Sequence, residues 1–197
     1  MVGCGIYGYL YVCNARVDRT RRGPHITVMA DLHAPSPYVV PDEPTAAAAI
    51  AAIGEELEVF DDWMDRYGHI IELGRKLPPF PGDWQNDAHR VPGCQSQVWM
   101  EAALRDGRLF LAGASDAAIV SGLVALLLRV YSGRPPAEVL ATDPAFLRDL
   151  GLMEALSTNR GNGIAAMARR IRDVAQQAGA QQAGAAQAGA EQAGAAV

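Results

Sequence analysis

VWMEAALRDGRLFL, residues 98–111, reads as a β-hairpin. Val98, Met100, Ala102 and Leu104 alternate with Trp99, Glu101 and Ala103, the period-two pattern of a strand with two unlike faces. Asp106-Gly107 supplies a two-residue turn, and Leu109, Phe110 and Leu111 form the return strand. This is the only strand-like region, and helical signals lie on both sides of it. Upstream, Thr45 is placed to cap a helix whose Ile50, Ile53, Leu57 and Phe60 recur at helical spacing. Asp61 or Asp62 opens a second, carrying Trp63, Tyr67, Ile70, Ile71 and Leu77, which Pro78-Pro79 ends.

Downstream, Ser115 is placed to cap a helix over residues 116–131 that is apolar nearly all round, as expected of a helix at the centre of a domain, and Gly133 stops it. Short helices are expected after Pro136 and Pro144. A last helix starts near Arg160, with Ile164, Met167, Ile171 and Val174 in one apolar stripe and Arg169, Arg170 and Arg172 left for solvent or a partner. The order predicts an α+β fold, a small antiparallel sheet of about three strands with helices packed on it.

The ends differ in character from this middle. Residues 1–44 show no sustained period, and Pro35, Pro37, Pro41 and Pro44 block a long helix, so they read as an unstructured extension, with Met29 an alternative natural start. From Gln176 the chain runs in Gln/Ala/Gly pentads with no bulky side chain before Val197. A glycine in each pentad costs a helix about 1 kcal/mol, so residues 176–197 read as a flexible tail. The expected functional domain is 45–175.

The net charge of −5 argues against a nucleic-acid binder. The longest N-terminal apolar stretch, Gly3 to Cys13, is too short to span a bilayer and lacks the layout of an export signal. Three cysteines in no paired spacing fit a reducing setting, so a cytoplasmic location is expected.

Cys94 is the cysteine that falls inside the expected domain. It follows Pro92-Gly93, precedes Gln95-Ser96-Gln97 and lies just before the hairpin, so it is expected on a loop tip held by a rigid sheet. Gly93 permits backbone angles that would turn amide N–H groups toward a thiolate. From the residues alone Cys94 is either a reactive thiol or a structural one. A zinc site would need more ligands than Cys94, His69 and His89 offer. An acyl-transfer site would need a geometry that spacing does not fix.

The segments IIELG (70–74), Leu77-Pro78, GCQSQVW (93–99) and SDAAIV (115–120), with Arg160, Gly163 and Met167, stand in the order seen in the SufE family. The chain resembles that family over about residues 50–175. The resemblance implies a fold shared with the IscU-type scaffold. It also implies a protein that takes sulfur as a persulfide on Cys94 from a SufS-like cysteine desulfurase and stimulates that enzyme. The sulfur would pass to a SufBCD-like scaffold complex for iron-sulfur cluster assembly. Pyridoxal phosphate would belong to the desulfurase, with no cofactor on this chain, no nucleic acid and no membrane involved. A homodimer is left open.

Gly93, Gln95, Ser96, Asp116 and Arg160 match family positions around the cysteine or facing a partner. Each has a plainer alternative: strand entry for Gln95 and Ser96, a first-turn charge for Asp116, a solvated charge for Arg160. Ala114, where an acidic residue is often found, and Pro92 depart from the pattern. A cluster scaffold would need several thiolates in the domain. A stand-alone thiol enzyme of peroxidase or hydrolase type is the rival from another class.

Overall fold

The computed structural model describes residues 36–152 and 158–194, with the side chains of 158–160 and 185–194 left undescribed. Helix α1 (Ala46–Glu58) starts where Thr45 Oγ1 accepts the Ala48 N–H, and α2 (Trp63–Arg75) where Asp62 Oδ1 accepts that of Asp65. Strands β1 (Val98–Arg105) and β2 (Arg108–Ser115) pair antiparallel from Val98 opposite Ser115 to Arg105 opposite Arg108. Asp106 and Gly107 both take positive φ, 48° and 76°, the two-residue turn that suits the twist of a hairpin.

Helix α3 (Ala118–Tyr131) runs through the centre, followed by α4 (Pro136–Ala141), α5 (Phe146–Asp149) and α6 (Thr158–Gly194). The class is α+β, as the element order predicts. Val124, Leu127, Leu128, Val130 and Tyr131 of α3 are fully buried. Around them pack Ile53 and Leu57 of α1, Ile70 of α2, Met100 and Leu111 of the sheet, and Ile164, Met167 and Ile171 of α6.

The closest approach in this core is between α2 and α3. A Cβ at Gly122 would lie 2.2 Å from the Ile70 carbonyl oxygen, and one at Gly74 would lie 2.5 Å from the Gly122 nitrogen. The two backbones touch because neither residue has a side chain.

Four expectations change. The sheet has two strands, not about three. The segments flanking it make isolated contacts instead of ladders. Val91 N–H donates to Val98 O and Met100 N–H to His89 O outside β1, and Val39 N–H donates to Leu111 O outside β2. Pro92 next to the first segment, and Pro37 and Pro41 around the second, lack the N–H that a continued ladder needs.

Second, Ser115 ends β2 and does not cap α3, which begins at Ala118 with no side-chain cap. Its hydroxyl instead donates to Gln97 O at 2.7 Å. Third, the stretch before Thr45, read as part of an unstructured extension, is a bound strap from Ser36. Ser132 Oγ donates to Val39 O, and Arg134 donates to Glu43 O at 2.6 Å. Residues 1–35 lie outside the described residues.

Fourth, the pentad repeat continues α6 through Gly194. Ala175 and Ala178 are buried, and a Cβ at Gly179 would sit 3.8 Å from Pro136, so the first pentad packs on α4. The high helix propensity of alanine offsets the intervening glycines. Arg172 is also not left for solvent: it donates to Leu140 O and Thr142 O at the end of α4.

Arg129 ties the strap to two helices. Its guanidinium meets the Glu43 carboxylate at 2.5 Å and that of Glu56 at 2.7 Å. Burial alone would raise Glu43, but its bonds to Arg129 and to its own backbone outweigh burial and hold it below the carboxylate value of 4.5. The Arg129 bond depresses Glu56 likewise against the opposing effect of burial. Both groups bind protons less readily folded than unfolded, so their contribution is complete above that value and is lost as pH falls through the depressed ones.

Urea midpoints measured from pH 6 to 3 should therefore fall on acidification below about 4.5, and Glu43→Gln/Glu56→Gln should flatten that fall. Gly122→Ala, which forces a methyl onto the Ile70 carbonyl, should cost about 3 kcal/mol in a denaturant titration.

Candidate functional site

The Cys94 loop is closed at its stem by the backbone bond from Val91 N–H to Val98 O, 2.8 Å, so residues 92–97 bulge from the end of β1. Gly93 takes φ +87°, a left-handed conformation that costs glycine least. That turn lays the loop against α6, where the Ala166 methyl would be 3.6 Å from a Cβ at Gly93.

Cys94 is half-buried, and its Sγ donates to the Gly163 carbonyl at 3.5 Å. The expected arrangement of amides turned toward a thiolate is replaced by its opposite, a thiol hydrogen aimed at a carbonyl oxygen. Burial pushes the Cys94 thiol above its ordinary value of 9.0. At neutral pH the sulfur is therefore held as the unreactive thiol. Shallow hollows open on its two flanks, one lined by Gly93, Cys94, Gln95 and Asn162, the other by Asp87, Arg90, Val91, Pro92, Gly93 and Cys94.

The exit of the loop is clamped by Ser115, the last residue of the hairpin's far strand, and Asp116 just beyond it. Asp116 Oδ1 accepts the Gln97 N–H at 3.0 Å, Asp116 N–H donates to Gln97 O at 3.2 Å, and Ser115 Oγ donates to the same carbonyl. Asp116 precedes α3, so its carboxylate serves the loop and not the helix's first turn. The Gln95 side chain is exposed and that of Ser96 half-buried. Arg160 lies in the first turn of α6, and its side chain is outside the described residues.

Gly163 is the contact that sequence reasoning missed. In the sequence Gly163 stands only as one of the family positions, with no contact assigned to it, and it lies inside α6 together with Gly161 and Asn162. Gly163 is buried beneath the cysteine, and a Cβ there would stand 3.6 Å from Sγ. Three residues on, Ala166 is equally small and buried, so α6 presents a flat face to the loop. The i, i+3 spacing of two small residues was the available signal.

The described residues make a small α+β domain whose one described thiol stands on a loop between the hairpin and α6, and comparison with known proteins identifies its class. Residues 51–175 match the SufE family, described as an Fe-S metabolism associated domain. An uncharacterized SufE-like protein of Rhizobium etli is 39% identical over 134 residues, covering 66% of this chain and 90% of the relative. One from Rhizobium meliloti is 39% identical over 127 residues, covering 62% and 91%. The solution structure of a hypothetical protein from Thermus thermophilus superposes with a TM-score of 0.57 at 25% identity, covering 66% of this chain and 95% of that one.

The chain belongs to the SufE family, with a role in iron-sulfur metabolism. Among the described residues no helix is long and apolar enough to cross a membrane.

Alkylation of Cys94 by iodoacetamide should be slower than that of a peptide thiol at pH 7.5 and should go on climbing past pH 9.0, where an ordinary thiol's rate levels off. Asp116→Ala, which releases the Gln97 amide, should raise that rate about fivefold. Mass spectrometry of the labelled chain checks both.

Proposed function

We propose that this chain accepts sulfane sulfur from a cysteine desulfurase as a persulfide on Cys94, stimulates that enzyme by clearing it, and hands the sulfur on for iron-sulfur cluster assembly. The observation that carries the reading is a half-buried thiol, the one cysteine among the described residues, that donates to the Gly163 carbonyl on a loop closed by non-covalent bonds. A carrier needs a sulfur that is quiet in the free protein and nucleophilic once delivered to its donor.

The exchange balances simply. Cys94 first loses its proton to water or to a base on the partner. The thiolate then attacks the outer sulfur of the donor's persulfide, a new S–S bond forms on Cys94, and the old S–S bond breaks with its electron pair leaving on the donor's cysteine. No net oxidant or reductant is required. Pyridoxal phosphate does its work on the desulfurase when it frees sulfur from cysteine, and this chain acts without a cofactor or independent turnover of its own.

Docking must lift Sγ from the Gly163 carbonyl. The bonds available to break are Sγ to Gly163 and the Gln97 contacts to Asp116 and Ser115. Each is worth about 1 kcal/mol net, within what a modest protein interface can supply. Gln95, exposed at the loop tip, and Arg160, in the first turn of the neighbouring helix, are the residues this reading assigns to the partner. A SufS-like donor and a SufBCD-like recipient are the partners that fit family membership. A stand-alone thiol enzyme would need a self-activated cysteine, and burial pushes Cys94 the other way.

Incubation of the purified chain with a SufS-like desulfurase and cysteine should add about 32 Da, one sulfur, to the intact mass. Cys94→Ser should abolish the adduct and the stimulation of desulfurase turnover. An unmodified Cys94 under turnover conditions would sink the carrier reading.

A further inference from the structure

The stem of the Cys94 loop has an outer anchor that sulfur exchange does not use. His89 stands at the foot of the incoming arm, where its carbonyl accepts the Met100 N–H at 2.8 Å. The imidazole lies flat on the Trp84 indole, centroids 5.7 Å apart and planes 8° from parallel. Nδ1 is 2.9 Å from Asn86 Oδ1. The neighbours of Asn86 identify that atom as oxygen: it accepts the Ala88 N–H at 2.9 Å, while Nδ2 of the same side chain donates to Asp83 O at 2.6 Å. Nδ1 therefore carries a hydrogen.

The other ring nitrogen, Nε2, lies 3.2 Å from Glu101 Oε2 on β1. With Nδ1 committed as a donor, a singly protonated ring turns the Nε2 lone pair onto a carboxylate oxygen, which repels it. A doubly protonated ring makes an ion pair at the same place. The flat seat on Trp84 and the bond to Asn86 restrict the ring from rotating away from this choice.

We propose that His89 and Glu101 form a proton-operated clamp on the stem of the Cys94 loop, closed while the ring carries both protons and loosened when Nε2 gives one up. Both are positioning residues. They act through the backbone bonds Met100 N–H to His89 O and Val91 N–H to Val98 O, which sit on either side of the isolated bridge from Arg90 to Trp99. The charged and titratable groups around the pair come from three elements. Glu101 and Arg105 lie on β1, with the Arg105 guanidinium 4.6 Å over the Tyr38 ring of the strap. Tyr38, which burial and then the Glu101 charge raise against the opposing pull of Arg105, keeps its proton. On the loop, Asp87 and Arg90 stand 4.0 Å from each other.

The clamp's geometry stands independently of sulfur transfer; only its consequence, a reaction loop easier to release as pH rises, rests on the carrier reading. The test therefore needs no desulfurase. In the full chain, amide hydrogen-exchange protection factors at Val91 and Met100, with the intrinsic rate divided out, should be about fivefold lower at about pH 8.5 than at about pH 5.5. Protection at Leu127 and Val130 in α3 reports that the fold is intact. His89→Gln and Glu101→Gln should each remove the pH dependence at the stem while leaving α3 protected. Nitrogen-15 shifts of the His89 ring should show two protonated nitrogens at the acid end.

An equal fall in His89→Gln, a flat profile in the unmodified chain, or a bare ring nitrogen at the acid end would each overturn the clamp. A flat stem profile in a chain that still gains sulfur on Cys94 would leave the carrier reading standing without the clamp. A working clamp in a chain that takes no sulfur would do the reverse.

Discussion

Two helices of this protein meet backbone to backbone, and the rest of the structure is arranged around that contact. At Gly74 and Gly122 a single added carbon would stand 2.5 Å and 2.2 Å from main-chain atoms of the opposing helix, separations that no side chain survives. With α2 so close, α3 is buried along most of its surface, packed against α1, α2, the hairpin and α6, while Ala118 stays exposed and Ser121, Ala125 and Arg129 half-buried. Gly113 extends the same constraint to the sheet, since a Cβ there would lie 2.8 Å from Val124. The family segment IIELG thus contains packing residues, Ile70 and Gly74, as much as chemical ones.

On that frame the thiol is placed with few contacts. The loop is fixed at its stem by backbone pairing, at its exit by Asp116 and Ser115, and at its tip by one weak bond from sulfur to the Gly163 carbonyl. None of these is covalent, and each is of a size that binding a partner can replace. The electrostatics agree with the mechanics. Burial favours the neutral thiol, so the position that hides the sulfur also quiets it, and a single displacement would undo both. A rigid nest of amide donors around the sulfur would instead have favoured the thiolate.

Much of the fold was legible in the residues because its signals are local. Thr45 and Asp62 cap the helices they were expected to cap, Asp106-Gly107 turns the hairpin, and the all-apolar run in α3 marks the central helix. Expectations failed where a distant partner decided the outcome. Ser115 looks like a helix cap, but the Gln97 carbonyl, brought beside it by strand pairing, takes its hydroxyl. The strap around Val39 has no period of its own and is held by Leu111, Ser132 and Arg134. The pentads look like a tail until α4 lies against the first of them.

The sequence by itself determined the element order, the hairpin and the loop position of Cys94, since each follows from capping residues, periodicity and position along the chain. It could raise Cys94 as a candidate but could not assign its state, because Gly93 permits a turn without saying what the turn faces. Only the tertiary structure decided that the sulfur meets a carbonyl, that Asp116 serves the loop, and that both nitrogens of His89 face oxygen. Those facts depend on residues 69, 19 and 12 positions apart being brought within hydrogen-bond or ion-pair distance, which packing around α3 achieves and local propensity does not encode.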